Sequence, residues 1–530
     1  SFAFAGNATR TFGTGSQTAN FYNTYAAFLL GLVDTASKAL QFENFSANEW
    51  QHALYVRDRW SVSPKLTVDI GVRWEYYPVL RRATRQIEML DLDTLDVLIG
   101  GMGGNPENMG LAAPKDMFAP RVGVVYRPNE QTVLRTGFGV SYDGQGMAGE
   151  HALYGYRSYP QVINADHQTP ADEATFGWYG TLDEGIPQIE TPELSGGRVA
   201  LPDDVQMHTA VPESMDRGTT YSWNVAVERR LPFAAVDVAY VSNRVRDGLA
   251  DININDAQTL GGGGLDRPYL VSHGRQLPIT IFTPYKKIDY DALQVGITRP
   301  FTDGLLLKGH YTYSRSWGRG ISLSGSVYGA GRQYELPTAE AQERNWMPAG
   351  GSRPHTFTMA FVYQLPWQSA GARQSLVRTL ISDWQVNGVV TAFSGTPFTV
   401  TADDTELNTP GNLQTADLIG TTTRVGKIGA DGTYYDPSAW AQPEGVRFGN
   451  TRPNQFRGPG GWNLDLSVFR AFPLGGTHRL EARIEATNVT DTPKFDNPNG
   501  DITSGDFMRI FGLNDAFTER QIRLGLRYSF

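Results

Sequence analysis

The 530-residue chain contains no cysteine, which excludes disulfides and thiolate metal sites. Charged residues are sparse at 19%, and the net charge of −9 comes without a Lys/Arg-rich run. No nucleic-acid footprint is therefore present. Long apolar runs are missing too. Residues 26–33 (AAFLLGLV), the cleanest run near the start, fall well short of the roughly 20 residues a membrane helix needs. The eight histidines are scattered, without an H-E-x-x-H pair, and no G-x-S-x-G elbow, P-loop or dinucleotide fingerprint occurs. The sequence thus offers no constellation for an enzyme.

What the chain does have is aromatic residues at 12% and 58 glycines in 530 positions. That glycine content is about 11%, against a usual level of about 7%. The length is too great for one ordinary globular core and suits one large barrel. A mean hydropathy of −0.34 is polar for a membrane protein. A membrane β-barrel escapes that rule, because only every second residue of a strand faces lipid.

Period-two alternation runs through the chain. In 520–530 (RQIRLGLRYSF), Ile522, Leu524, Leu526, Tyr528 and Phe530 oppose Gln521, Arg523, Gly525, Arg527 and Ser529. The same pattern recurs in 66–77, 132–143, 305–315 and 480–488, and fits segments near 50–62, 119–127, 219–231, 234–243, 288–299, 354–366, 382–394 and 461–472. Apolar faces opposite polar ones predict thirteen strands of a wall with lipid on one side and water on the other. The connections alternate. Short ones contain Ser63-Pro64, Pro128-Asn129, Leu231-Pro232, residues 300–304 and residues 473–476, with 367–381 a longer member of that series. Long ones cover 11–49, 78–118, 144–218, 244–287, 316–353, 395–460 and 490–519. Outer-membrane barrels place short turns in the periplasm and long loops outside, so the last strand runs inward. An outward strand over residues 1–10 (SFAFAGNATR) would make a fourteenth.

Several blocks resemble the TonB-dependent receptor superfamily, particularly its Oar-like branch. They are 54–77 (LYVRDRWSVSPKLTVDIGVRWEYY), 290–297 (YDALQVGI), 310–317 (HYTYSRSW), 353–366 (RPHTFTMAFVYQLP), 383–398 (DWQVNGVVTAFSGTPF), 448–465 (FGNTRPNQFRGPGGWNLD), 483–498 (RIEATNVTDTPKFDNP) and the terminal strand. The block at 483–498 is similar to the family pattern R-x-E-x-x-N-x-x-N-x-x-x-F, with Asp491 in place of the second Asn. Gly388 and Gly395 suit a strand and its exit, where close approach or positive φ is needed, and residues 457–460 (RGPG) read as a tight re-entry into the wall.

The resemblance implies an all-β, antiparallel transmembrane barrel of the outer-membrane type. About 14 strands in this chain would form part of a 22-stranded barrel. It implies location in the bacterial outer membrane and uptake of a ligand energised through TonB, and the family's ligands include iron chelates, glycans, peptides and cofactors. The implied partners are outer-membrane lipid, the barrel assembly machinery and an unidentified ligand. A plug domain and the TonB complex would act through an N-terminal part that is not in this chain, which begins at Ser1 without Met. A self-contained passive porin and a surface adhesion scaffold are the rival readings.

Candidate lumen- or plug-facing residues are Arg73, Glu75, Arg121, Arg135, Arg479, Glu481, Arg483 and Glu485, with Arg523 and Arg527 beside them. Paired across strands they would simply hydrate the wall. In a plugged barrel they would also hold the plug through charged hydrogen bonds. Candidate outer-loop ligand contacts are Trp178, Tyr179, Trp346, Tyr434, Tyr435 and Trp440, whose alternative is packing the loops together. Tyr528 and Phe530 resemble the family's C-terminal insertion signal. No cofactor is expected. Asp403, Asp404, Glu406 and Asn408 offer a weak Ca²⁺ ligand set that lacks EF-hand spacing.

Overall fold

The computed structural model describes residues 1–9, 21–44, 48, 50–79, 81, 86–143, 159–170, 177–321, 332–366, 382–425, 428, 432–513 and 519–530. One sheet dominates it. Thirteen strands follow one another in sequence order as an antiparallel meander. They are β1 (His52–Ser63), β2 (Leu66–Tyr76), β3 (Met117–Asn129), β4 (Thr132–Tyr142), β5 (Thr219–Arg230), β6 (Ala235–Asn253), β7 (Ile279–Thr302), β8 (Leu305–Arg319), β9 (His355–Gln364), β10 (Gln385–Phe393), β11 (Gly461–Gly475), β12 (His478–Thr487) and β13 (Gln521–Ser529). Among the described residues β1 pairs only with β2 and β13 only with β12, so the sheet is open at both edges. No described helix is long and apolar enough to cross a membrane.

The fourteenth strand is corrected. Phe2–Ala3 pairs with Thr35 and Ala36 in a small sheet completed by Val162–Gln168. Residues 7–9 form a 3₁₀ turn, and the Phe4 ring packs edge-on against Phe28 at 5.2 Å. Alternation lasts only from Phe2 to Phe4 before Gly6 and Asn7 break it, too short to span a bilayer, which takes about 9–11 residues.

Register makes the two faces explicit. One rung runs Leu134, Val227, Val238, Val295, Tyr311, Phe357, Ala392 and Trp462 across eight strands. One residue along, the opposite face reads Arg135, Ala226, Ala239, Gln294, Thr312 and Thr356. A one-residue slip would exchange the two faces, so the pattern itself fixes register. At the short-connection end, Asp303-Gly304 closes β7 onto β8 as a two-residue loop flanked by the Thr302–Leu305 pair. Both residues have positive φ, 50° and 77°, the Asp-Gly signature of a type I′ hairpin, whose twist matches the strands.

The hydrophobic cores lie in the long loops rather than in the wall. Leu95, Val97, Ile99, Ile163, Val205 and Met207 pack together from loops 78–118 and 144–218. Phe398, Tyr434, Tyr435, Trp440, Phe456 and Met508 form a second core from loops 395–460 and 490–519. A barrel wall has lipid on one side and water on the other, so only its loops can bury apolar side chains against protein.

Loop 244–287 is shorter than the alternation implied. β6 and β7 continue as a ladder to Asn253–Thr280, across a bulge at Gly248. The glycine readings hold as close approaches. The Phe361 ring lies over Gly388, and a β-carbon on Gly395 would collide with the Gly458 carbonyl oxygen. Gly395→Ala is expected to cost about 1–3 kcal/mol through backbone overpacking, read as a lower urea midpoint for the folded protein.

Candidate functional site

The polar face carries every proposed lumen residue. Arg73 Nε donates to Glu75 Oε1 at 2.6 Å, and the Tyr77 hydroxyl donates to Glu75 Oε2 at 2.9 Å. Arg57 pairs with Asp69 on the neighbouring strand. Arg135 reaches Glu228 at 3.3 Å. On β12, Arg483 bridges Glu481 at 2.7 Å and Glu485 at 3.2 Å, while Arg523 and Arg527 of β13 stand opposite Glu485 and Glu481. Arg479 stands opposite Ser529. Arg121 lies in the same rung as Gly71 and Gly139, and makes no hydrogen bond or ion pair among the described residues. The lumen-face residues thus form two ionic groups, one on β1–β5 and one on β12–β13.

The outer-loop aromatics divide. Tyr434, Tyr435 and Trp440 are buried and meet each other edge-on, with Tyr434–Tyr435 at 4.8 Å and Tyr435–Trp440 at 5.9 Å. Their rings pack the loop. Tyr179 stacks on His167 at 5.1 Å, whereas Trp178 is 44% exposed. Trp346 lies under Lys287, whose Nζ is 5.4 Å from the ring centroid. At the C-terminus Tyr528 stacks on His478 and hydrogen-bonds its Nδ1 at 2.7 Å, and Phe530 stacks on Tyr528 at 5.9 Å.

The acidic loop set is occupied by its own backbone. Asp403 Oδ1 accepts from Thr405 N, Glu406 Oε2 from Gly445 N, and Asn408 Nδ2 donates to the Gly261 carbonyl. Among the described residues no three acidic or histidine side chains converge as a metal would require.

The Asp491 departure has a structural reading. Asn488 and Asp491 both adopt positive φ, 47° and 53°, and Asn488 clamps the turn through both Thr492 backbone groups. Asp tolerates this left-handed conformation much as Asn does.

Sequence reasoning missed Glu335, a buried carboxylate where loops 244–287, 316–353 and 395–460 meet. Its backbone N–H donates to the Gly411 carbonyl at 3.3 Å, and Arg332 is 3.5 Å away. Burial pushes its pKa up to about 7, with nearby Asp256 adding to the rise and Arg332 opposing it. Because the folded value lies above the ordinary 4.5, the neutral form favours the folded cap. Stability is fully present below the ordinary value and is lost as pH rises from there to about 7. Hydrogen exchange at 332–336 should be slower at pH 5 than at pH 8 after correction for intrinsic rates. Glu335→Gln should remove that difference.

A two-faced antiparallel wall, short turns at one end and packed loops at the other define an integral outer-membrane β-barrel. The chain belongs to the family described as the outer membrane beta barrel domain, whose model matches residues 1–523. It is a protein of the outer membrane. A comparison with curated proteins gives no match. Among solved structures it is similar to a variant of the ferric enterobactin receptor PfeA from Pseudomonas aeruginosa, at 11% identity and TM-score 0.42, covering 90% of this chain and 44% of that one. It is also similar to the FrpB iron transporter from Neisseria meningitidis, at 9% identity and TM-score 0.40, covering 92% and 46%. A third is the ferric-catecholate import receptor Fiu from E. coli K12, at 10% identity and TM-score 0.38, covering 90% and 44%. The chain spans less than half the length of each.

Proposed function

We propose that this chain is the barrel portion of a TonB-dependent outer-membrane transporter, its loops capturing a ligand outside and its lumen holding a plug that TonB displaces. The observation that carries the reading is the inner face. Arg73, Glu75, Arg135, Arg483, Glu485 and their partners line one side of a sheet whose two edge strands, among the described residues, are each unpaired on one side. Arg121 stands among glycines and makes no hydrogen bond or ion pair among the described residues. Such a wall has room for further strands at its edges and offers charged hydrogen bonds to a domain seated inside. The sequence blocks at 54–77, 353–366, 383–398 and 483–498 support the same family.

The test uses the full-length protein that carries this chain. In planar bilayers it should be electrically silent. In cells, growth on the nutrient it imports should be lost on deleting tonB. A large steady current, with growth indifferent to tonB, would instead establish a passive porin.

A further inference from the structure

The lipid-facing side of the wall changes character abruptly in one sector. Along β7 the outward residues Ile297, Val295 and Leu293 are apolar, and the next two are Asp291 and Asp289. Beside them on β8, Tyr311 and Tyr313 give way to Arg315, Trp317 and Arg319. On β6, Val236, Val238 and Tyr240 give way to Ser242 and Arg244. Register places these changes side by side: Ser242 faces Asp291, which faces Arg315, and Arg244 faces Asp289, which faces Trp317. Below the apolar stretch, Arg229 and Arg299 lie on the same face. From Arg299 to Asp291 is about eight residues. At roughly 3.3 Å each and a tilt of about 40° this is about 20 Å of height, close to the ~25 Å apolar band of an outer-membrane barrel. The ionic rows therefore sit where the outer-leaflet headgroups begin.

Their pairing is uneven. Arg244 binds Asp291 at 2.8 Å and Arg246 binds Asp289 at 2.7 Å, and the Tyr240 hydroxyl also donates to Asp291. Arg315 and Lys287 make no ion pair among the described residues. Arg315 lies 4.8 Å over the Trp317 ring and Lys287 lies 5.4 Å from Trp346. Arg319 stands opposite Lys287 in register and donates to the Tyr285 carbonyl. Five cations thus face two carboxylates in a chain whose net charge is −9. On β9 the outward residue beside Tyr313 is His355, one rung short of the ionic rows.

We propose that this patch, centred on Arg315 and Lys287, docks the phosphate groups of a phosphorylated outer-leaflet glycolipid. Tryptophan faces hold the two unpaired cations while leaving their N–H donors free. Arg244 and Arg246 are fixed by their carboxylates and frame the site. A soluble anion would have no reason to sit on the lipid side directly above an aromatic row, whereas a headgroup phosphate lies at that height. The inference rests on which face meets lipid, not on the transport reading.

The test is lipid retention by the full-length protein, purified in detergent and measured by native mass spectrometry. Bis-phosphorylated lipid A, its dephosphorylated form and phosphatidylethanolamine are the probes. The unmodified protein should retain the phosphorylated lipid at least about tenfold better than the other two. Arg315→Gln with Lys287→Gln should abolish that preference, while Arg527→Gln on the lumen face should leave it intact. Heat-modifiable migration on gels checks folding. Equal retention of phosphorylated and dephosphorylated lipid by the unmodified protein would overturn the proposal even if the double variant failed to fold. So would full displacement by millimolar inorganic phosphate, which would mark a free-anion site. Loss of tonB dependence would leave this result untouched, and the reverse also holds.

Discussion

Val295→Arg should destabilise the membrane-inserted sheet by about 2–4 kcal/mol, the cost of a cation at the middle of the lipid face. Gln294→Arg, one residue away, should stay within about 0.5 kcal/mol. Val295 lies midway between Arg299 and Asp291 on the apolar face, flanked across the ladder by Val238 and Tyr311. Gln294 points the other way, between Ala239 and Thr312. An arginine there meets water and the polar face. At position 295 it must snorkel about 10 Å to either rim. Urea unfolding from lipid vesicles, followed by tryptophan fluorescence, checks both. Equal effects of the two substitutions would mean that the faces are assigned the wrong way round.

Trp440→Ala should cost about 3–5 kcal/mol, the range for emptying a buried indole site, and the loss should be local. Trp440 is 6% exposed and meets Phe456 at 5.3 Å and Phe507 at 5.9 Å, both edge-on. Its cluster joins loop 395–460 to loop 490–519. The wall strands β10–β13 do not depend on it, since their ladders run independently of the loops. Limited proteolysis should therefore cut 395–460 readily in the variant, while the heat-modifiable band of the folded barrel persists. Loss of that band would show that loop and wall fold as one cooperative unit. On the proposed transporter reading, loosening this loop core should also weaken ligand capture without altering the lumen.

The strands were legible because a two-sided wall writes its faces into the sequence at period two. All thirteen alternating segments form ladder strands, and the short connection read at residues 300–304 holds the Asp303-Gly304 turn, whose residues tolerate positive φ. Two kinds of site resisted. For Tyr434, Tyr435 and Trp440 the sequence left ligand contact and loop packing both open, because aromatics in a long polar loop carry no periodicity that reveals burial. Their packing comes from Phe398, Phe456 and Phe507, which are distant in sequence. Arg315 and Lys287 left a faint signal, since both stand in the apolar phase of their strands, at positions where Tyr311, Tyr313 and Val295 belong. Only pairing with β6 showed that two of the five cations are balanced by carboxylates and three are not.

The sequence alone determined the strands, their alternating faces and the end of the wall that carries long loops, because those depend on nearest neighbours along the chain and on the contrast between lipid and water. The tertiary structure decided what neighbours along the chain cannot encode. It folded the loops into cores of their own and brought Glu335 beside Asp256. It also left residues 1–9 outside the wall and set uncompensated cations at the height of the headgroups. Each of these arises from residues tens to hundreds of positions apart, meeting through register and packing.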